Sequence, residues 1–191
     1  MSDSAVEVHP LTPDRWPDLV TLFGERGAAD GCWCMWWRQT SEEYRTGRGE
    51  SNRQAMEQVV RENRVPGLLA YVDGAPAGWC AVAPRDEYPR VQRSRTVKPV
   101  DDQPAWAVVC FYTDRKFRQQ GVGRVLLRAA VEHAVAHGAR IVEGYPVDPA
   151  GTRVTPDAGF HGFVSTFRAA GFEEVLRRNE TRPIMRYIAE R

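Results

Sequence analysis

Two glycines that straddle a valine separate an apolar run from a helical pattern near the middle of this chain. The run "WAVVCFYT" is rich in β-branched residues and carries no charge, which is typical of a strand buried on both faces. After the turn "RQQGVG", Val122, Leu126 and Ala130 recur at helical spacing, and Gly138 ends that pattern. With the strand-like run "RIVEGYPVD" after it, this unit predicts a strand–helix–strand crossover.

The other segments extend the alternation of strands and helices. Asp73-Gly74 between two apolar runs predicts a hairpin, and the runs "AVEVHP", "EEVLRR" and "PIMRYIAE" predict further strands. Helices are expected from Pro13 to Gly24, with Thr12 as cap, and over "ESNRQAMEQVVREN" and "STFRAAG". Residues 27–47 and 85–104 lack periodicity and are predicted to be irregular. The pattern predicts one mixed α/β domain with helices on the faces of its sheet.

Composition excludes several classes of function. With 42% hydrophobic residues, 191 residues can bury one core, and a net charge of +1 gives no reason to expect nucleic acid or a membrane surface as partner. No apolar run approaches ~20 residues, and the N-terminus lacks the pattern of a signal peptide, so a cytoplasmic protein is expected. The four cysteines match neither a disulfide framework nor a zinc site, so no metal is expected; they are Cys32, Cys34, Cys80 and Cys110.

The glycine turn has the character of a phosphate cradle. The first amides of a helix have no partner within it, and glycines at 121 and 123 let an anion approach them. Arg124 and Val125 stand where a Walker loop has lysine and Ser or Thr, and the third glycine of a dinucleotide fingerprint is missing. A plain tight turn between strand and helix is the alternative.

The neighbouring residues resemble the GNAT acetyltransferase superfamily. Its motif A has an apolar strand, then Arg or Gln, two residues, Gly, one residue, and Gly or Ala, as in "FYTDRKFRQQGVGRVLL". The hairpin "LLAYVDGAPAGWCAV", the helix to His137, the strand "RIVEGYPV" and the Gly-Phe of "FRAAGFEEV" are similar to family elements in the same order. The resemblance implies a single GNAT-like domain over 1–191 with a mixed, mostly antiparallel sheet, in which 1–65 form the acceptor side and 105–175 the acetyl-CoA core.

The resemblance also implies that acetyl-CoA is the co-substrate. Its pantetheine arm would run beside the strand that precedes the motif, against Phe111, Tyr112 and Thr113, which otherwise are plain core residues. Its pyrophosphate would lie on the amides of the glycine turn, whose residues are Arg118, Gln119, Gln120, Gly121, Val122, Gly123 and Arg124. The acetyl group would pass directly to a nucleophile, most often an amine of a small molecule or peptide. The oligomeric state is left open, a homodimer included.

The proton donor of the family is missing from its usual place. Many members carry a tyrosine four residues before the glycine of Gly-Phe, where its hydroxyl can protonate the departing thiolate, but here the residue is Phe167. Alternate residues of a strand face the same side, so Glu143 and Tyr145 project together. We expect Glu143 to accept a proton from the incoming ammonium and Tyr145 to donate one to the thiolate. Tyr112 is the rival donor, and simple packing of both tyrosines is the alternative.

An aromatic segment, "CWCMWWRQ", follows the first helix, where the family lines its acceptor pocket. It places Trp33, Trp36 and Trp37 as candidate substrate-binding residues, because aromatic walls favour apolar or cationic groups. Tryptophans that plug the core are the competing interpretation. Three functions therefore stay open: an N-acetyltransferase, which is favoured, a non-catalytic acyl-CoA sensor or interaction module, and an O-acetyltransferase.

Overall fold

A seven-stranded sheet forms the centre of the molecule in the computed structural model, which describes residues 6–149 and 156–190. The strand order is β1-β2-β3-β4-β5-β7-β6, and every neighbouring pair is antiparallel except β4 and β5. The strands are β1 (Val6–Pro10), β2 (Gly67–Val72), β3 (Ala75–Pro84), β4 (Trp106–Thr113), β5 (Ile141–Gly144), β6 (Glu173–Arg177) and β7 (Pro183–Ile188). The expected mixed, mostly antiparallel sheet is confirmed; residues 1–5, 150–155 and 191 of the predicted domain lie outside the described residues.

Six helices cover the two faces of the sheet within the described part of the chain. They are α1 (Trp16–Phe23), α2 (Ser41–Thr46), α3 (Glu50–Arg61), α4 (Pro89–Arg93), α5 (Val122–Ala136) and α6 (Val164–Ala169). Short 3-10 helices span Pro13–Arg15, Arg85–Glu87, Arg115–Phe117 and Pro156–His161. Apolar residues of α1 and α3 pack in one core, and those of α5 and α6 pack in a second core on the opposite face.

The hairpin that joins β2 and β3 is formed as predicted. Asp73 has φ +49° and Gly74 has φ +77°, and the strands end at Val72 and resume at Ala75. Two left-handed residues in succession match the twist of the flanking strands, which is why the Asp-Gly pair is a strong hairpin signal. This local agreement fixes the register of β3, on which β4 is then built.

The N-terminal half departs from prediction in three places. The predicted first helix opens as a 3-10 turn, and the Thr12 hydroxyl accepts a hydrogen bond from the Arg15 guanidinium (3.0 Å) instead of capping a backbone amide. Helix α2 lies in a segment predicted to be irregular, where Thr40 and Glu43 form a reciprocal capping box. Helix α4 lies in the second segment predicted to be irregular. Both helices are too short for periodicity to reveal them.

Strand β4 carries the features that position the site. It pairs with β5 only from Trp106 to Val108, so the edge beyond that point has no strand partner among the described residues. A β-bulge inserts Val109, which has no residue opposite it in β3. The bulge reverses the alternation of side chains, so Phe111 packs with the α5 core and Tyr112 against the α1 core.

Candidate active site

The glycine turn presents free backbone amides beside an open surface. Gly121 has φ +78° and caps α5, and a Cβ added at Gly121 or Gly123 would meet no atom within 4 Å. Among the described residues, none accepts a hydrogen bond from the amides of residues 119–123. Unpartnered amides at the positive end of a 15-residue helix fit a phosphate group.

Side chains of the same loop hold its shape. The Asp114 carboxylate accepts a hydrogen bond from the Lys116 amide (2.8 Å), and the Gln120 side-chain amide donates to the Lys116 carbonyl (3.0 Å). The Arg118 guanidinium donates to the Thr113 carbonyl at 3.3 Å. Val122 is buried in the α5 core, so only its amide is available to a ligand. The loop therefore supplies backbone groups, and its side chains brace it.

A groove of about 370 Å³ continues from this loop along β4. Phe111 and Thr113 line it on one side, and Gly162, Thr166 and Phe167 line it on the other. Phe167 is fully buried, its ring packs edge-on against Phe111 (6.1 Å between centroids), and a side chain at Gly144 would collide with it. The groove thus lies where the pantetheine arm is expected, with an unreactive phenyl ring in place of the family tyrosine.

A second cavity of about 340 Å³ lies on the other face of the sheet and is aromatic. Its aromatic lining comes from Phe23, Trp36, Trp37, Tyr44, Trp79, Tyr112, Phe160 and His161. Of the three tryptophans predicted to bind substrate, Trp36 and Trp37 are in this lining. Trp36 remains 41% exposed, so its indole is accessible to a ligand.

Trp33 was also predicted to bind substrate, but it does not line this aromatic cavity. It is 4% exposed and packs against Trp16 (6.1 Å) and Phe23 (5.6 Å), with the Arg53 guanidinium 5.7 Å from its ring. Its backbone is left-handed (φ +45°), as is that of Cys34 (φ +55°), and this turns the indole away from its neighbours in sequence. Trp33 is a core plug.

The predicted pair Glu143 and Tyr145 project together, but into a buried ion-pair network. Glu143 is 0% exposed, and its Oε1 accepts hydrogen bonds from Arg85 Nη1 (3.0 Å) and from Arg186 Nε (2.9 Å) and Nη2 (2.8 Å). Tyr145 donates its hydroxyl proton to Glu143 Oε2 (2.9 Å). Arg186 also donates hydrogen bonds to both carboxylate oxygens of Asp101 (2.7 and 2.8 Å), and these bonds lower the pKa of the Asp101 carboxyl.

This arrangement contradicts the catalytic roles expected of the pair. Glu143 is neutralised by two guanidinium groups and closed off from any incoming ammonium. Burial and then the charge of Glu143 raise the pKa of Tyr145 well above its ordinary value, and its proton is committed to the carboxylate. Both residues serve the structure. Glu143 joins β5 to β7 through Arg186 and to the 3-10 helix at 85–87 through Arg85, and Tyr145 bonds Glu143.

Tyr112 keeps the features of a proton donor. It lines the aromatic cavity, stacks on Phe160 (6.5 Å, 9° between planes), and is only partly buried. Burial, followed by the charge of Asp114, raises the pKa of Tyr112, so its hydroxyl stays protonated at neutral pH. Among the described residues, nothing accepts its proton.

His161 joins Tyr112 in the cavity and was not foreseen from the sequence. Its Nδ1 lies 3.3 Å from the carbonyl oxygen of Val109, the bulge residue, and its ring packs edge-on against Trp37 (5.7 Å). Burial and then the positive charge of Arg182 lower the pKa of His161 to about 4. A neutral ring that donates from Nδ1 carries a lone pair on Nε2. Only the long-range contact with β4 marks this histidine, so no sequence signal could have found it.

The two cavities meet at the segment that carries His161. Gly159 and Gly162 line the groove, whereas Phe160 and His161 line the aromatic cavity. This segment lies beside the unpaired edge of β4, where the strand leaves β5. A reactive group that lies along β4 from one side can therefore meet a nucleophile that enters from the other.

Two absences concern the described residues alone. All four cysteines are free thiols, and no group of three or more His, Cys, Asp or Glu side chains within 6–149 and 156–190 is placed to hold a metal ion. No helix in those ranges is long and apolar enough to cross a bilayer.

Comparisons with known proteins agree with the motif and the fold. The acetyltransferase (GNAT) family model matches residues 30–153, well over half of the chain. A GNAT-family acetyltransferase from Streptococcus agalactiae is similar in structure, with TM-score 0.58 and 14% identity over 97% of this chain and 96% of that one. No curated protein matches the sequence.

Two further solved structures resemble this chain about as closely. PaiA N-acetyltransferase from Thermoplasma acidophilum, solved in complex with coenzyme A, gives TM-score 0.54 and 14% identity over 97% of this chain and 99% of its own. A ribosomal-protein-alanine N-acetyltransferase from Brucella melitensis gives TM-score 0.54 and 17% identity over 96% and 99%. At these identities the structures show the fold, and the family match adds the lineage: this chain belongs to the GNAT acetyltransferase family.

Proposed function

We propose that this protein transfers the acetyl group of acetyl-CoA to a primary amine held in the aromatic cavity. The observation that carries the proposal is the placement of the two cavities on opposite faces of the sheet, meeting where β4 leaves β5. The groove has free amides at one end and an unpaired strand edge along its length. The aromatic cavity offers indole faces, which attract an ammonium group by cation–π contacts of ~0.5–2 kcal/mol.

Backbone groups would hold the co-substrate. The amides of residues 119–123 fit its pyrophosphate, and the unpaired edge of β4 fits the amides of its pantetheine arm as an added strand would. Acetyl-CoA supplies an acetyl group activated as a thioester. An amide on the same edge, within residues 111–113, can donate a hydrogen bond to the acetyl oxygen as negative charge develops there.

Side chains of the aromatic cavity would manage the protons. His161 stays neutral above about pH 4, and its Nε2 lone pair can accept a hydrogen bond from the amine and orient it. Tyr112 can donate its proton to the sulfur as the C–S bond breaks, the task that Phe167 cannot perform. The bound ammonium first releases one proton to solvent, and after attack the nitrogen gives up a second proton, through water, to the Tyr112 oxygen. The products are then the amide and the free thiol, with Tyr112 back in its starting form. General acid catalysis of this kind is worth about 100-fold or more in rate.

The test is an acceptor panel of primary amines and matched alcohols, incubated with acetyl-CoA and followed by release of free thiol and by mass of the product. We expect acetylated amines, and a Tyr112→Phe variant that binds acetyl-CoA normally but turns over more slowly. Acetylated alcohols alone would identify an O-acetyltransferase. Tight binding of acetyl-CoA without transfer to any acceptor would identify a non-catalytic sensor.

A further inference from the structure

A third cavity, of about 340 Å³, lies on the far side of the wall formed by Trp36 and Trp37, which also line the aromatic cavity. Apart from one proline, the other described residues that line it are polar, and none of them is an aspartate or glutamate. The polar residues are Gln39, Thr40, Ser41, Arg90, Arg93 and Ser94. We call this space the arginine cavity. The described lining carries two positive charges and no negative one.

Arg90 is fixed in this cavity without an acidic partner. Its guanidinium lies 3.8 Å from the centre of the Trp36 ring, donates from Nε to the Gln39 carbonyl (3.3 Å), and donates from Nη1 to Ser41 Oγ (3.2 Å). Its Nη2 is shielded from water and has no acceptor in the described chain. Arg90 as a whole is half-buried, and its stacked, planar fork is suited to an oxyanion.

Arg93 adds a second charge that the described residues leave without an ion pair. Glu43 is a nearby carboxylate. Its pKa is lowered mainly by the hydrogen bonds from Thr40 and, to a smaller extent, by the charge of Arg93. Oε2 of Glu43 accepts hydrogen bonds from the amide and hydroxyl of Thr40, each at 2.8 Å, and no salt bridge joins this carboxylate to Arg93 among the described residues. Neither arginine of the cavity therefore has its charge matched by a bonded carboxylate.

Two hydroxyl groups complete a set of donors. Ser94 Oγ accepts hydrogen bonds from the amides of Thr96 (3.2 Å) and Val97 (3.0 Å), and Ser41 Oγ accepts one from Arg90. Because both oxygens are already acceptors, their protons are left to donate. The cavity thus offers charged and hydroxyl donors together, which is the chemistry that recognises a carboxylate or phosphate.

We propose that the arginine cavity binds an oxyanion, a carboxylate or phosphate group, carried by the same acceptor whose amino group enters the aromatic cavity. This assignment rests on the proposed function. Trp36 and Trp37 are common to both cavities, and Trp36 is 41% exposed. One extended molecule that passes over the exposed edge of Trp36 can therefore place its amine in one cavity and its anion in the other. The acceptor is then an amine that carries an oxyanion several bonds away.

The experiment compares ω-amino acids of increasing chain length with alkylamines of the same length, and with ω-aminoalkyl phosphates. The measurement is kcat/KM at saturating acetyl-CoA. We expect the anionic acceptors to exceed the matched alkylamines by about 10-fold or more at one chain length, equivalent to ~1.4 kcal/mol of added binding. The carboxylate and phosphate series then show which oxyanion fits.

Variants link that preference to the cavity. Arg93→Gln should remove most of the preference without changing kcat/KM for the alkylamine, because Arg93 is exposed and bears no fold-stabilising ion pair. Arg95→Gln is the matched control, since it removes an equal charge two residues away from an exposed side chain outside the cavity lining. Arg90→Gln should also remove the preference, with a loss of thermal stability from its packing on Trp36.

The outcomes separate this proposal from the proposed function. Equal kcat/KM for anionic and plain amines, or an equal effect of Arg93→Gln and Arg95→Gln, would overturn the oxyanion site and leave acetyl transfer standing. Absence of transfer to any amine would overturn the proposed function. Calorimetry would then test the oxyanion site separately: tighter binding of 6-aminohexanoate than of hexylamine would support it, and equal binding would overturn it. If inorganic phosphate bound through Arg93 without lowering kcat/KM for any anionic acceptor, that result would also contradict the proposal.

Discussion

Replacing Glu143 by glutamine tests whether the buried network is structural or catalytic. The native carboxylate accepts three hydrogen bonds on Oε1 from Arg85 and Arg186, and one on Oε2 from Tyr145. Glutamine keeps one accepting oxygen but replaces the other by an NH2 group, which cannot accept. It also removes the carboxylate that, among the described residues, bonds both buried guanidinium groups; the Asp101 carboxylate bonds Arg186 alone.

The expected cost follows from the burial. Removing one partner of a buried ion pair costs ~3–5 kcal/mol, because the remaining charges stay buried without compensation. For a chain of this size, each kcal/mol moves Tm by ~2–4 °C, so Glu143→Gln should lower Tm by ~6–20 °C. Glu50→Gln is the control, since Glu50 pairs with Arg53 at 3.4 Å and its side chain is 63% exposed. An exposed pair of that kind contributes ~0–1 kcal/mol.

Thermal unfolding followed by circular dichroism gives the stability, and steady-state kinetics at a temperature where all variants are folded gives the activity. We expect a large loss of stability for Glu143→Gln with kcat close to that of the native protein. If Tm were unchanged and kcat fell about 100-fold, Glu143 would be a general base after all, and the structural interpretation of the network would be refuted.

Three further predictions concern the cavities. Tyr112→Phe should lower kcat about 100-fold, and Tyr145→Phe should lower stability instead; steady-state kinetics showing equal kcat for both would remove the proton donor. Gly123→Val should weaken acetyl-CoA binding in calorimetry without loss of Tm, because its side chain enters open space, whereas Gly121→Ala adds ~1–2 kcal/mol of left-handed strain. Because the pKa of His161 lies below its unfolded value, stability should fall from about pH 6.5 to pH 4 by ~3 kcal/mol, and His161→Gln should flatten that slope in urea titrations.

Features encoded by adjacent residues could be predicted from the sequence. The hairpin at Asp73-Gly74 requires two left-handed residues in succession, and Asp followed by Gly is a pair that adopts this conformation readily. Gly121 is predictable for the same reason: a single glycine provides both the positive φ of the turn and the open space in front of the helix amides. The cofactor side of the candidate site is therefore visible in the chain, since it consists of backbone geometry that glycine specifies locally.

The acceptor side depends on contacts between distant residues and could not be predicted in the same way. The carboxylate of Glu143 bonds to arginines 58 and 43 residues away in the sequence. Strand alternation therefore predicted correctly that Glu143 and Tyr145 share a face, but it could not predict that this face is occupied by the two arginines. Trp33 and Trp36 lie three residues apart, yet left-handed backbone between them sends one indole into the core and leaves the other at the cavity. Neither outcome has a signature within a short window of sequence.

The bulge at Val109 links the two halves of the site. With regular pairing, alternation along β4 would place Phe111 with Val109 on the acceptor face and Tyr112 in the α5 core. The extra residue exchanges them, which brings a hydroxyl to the aromatic cavity and a phenyl ring to the groove. The Val109 carbonyl accepts the hydrogen bond from His161. One inserted residue therefore orients both side chains that we assign to proton handling, so the chemistry of this site depends on strand register as much as on residue identity.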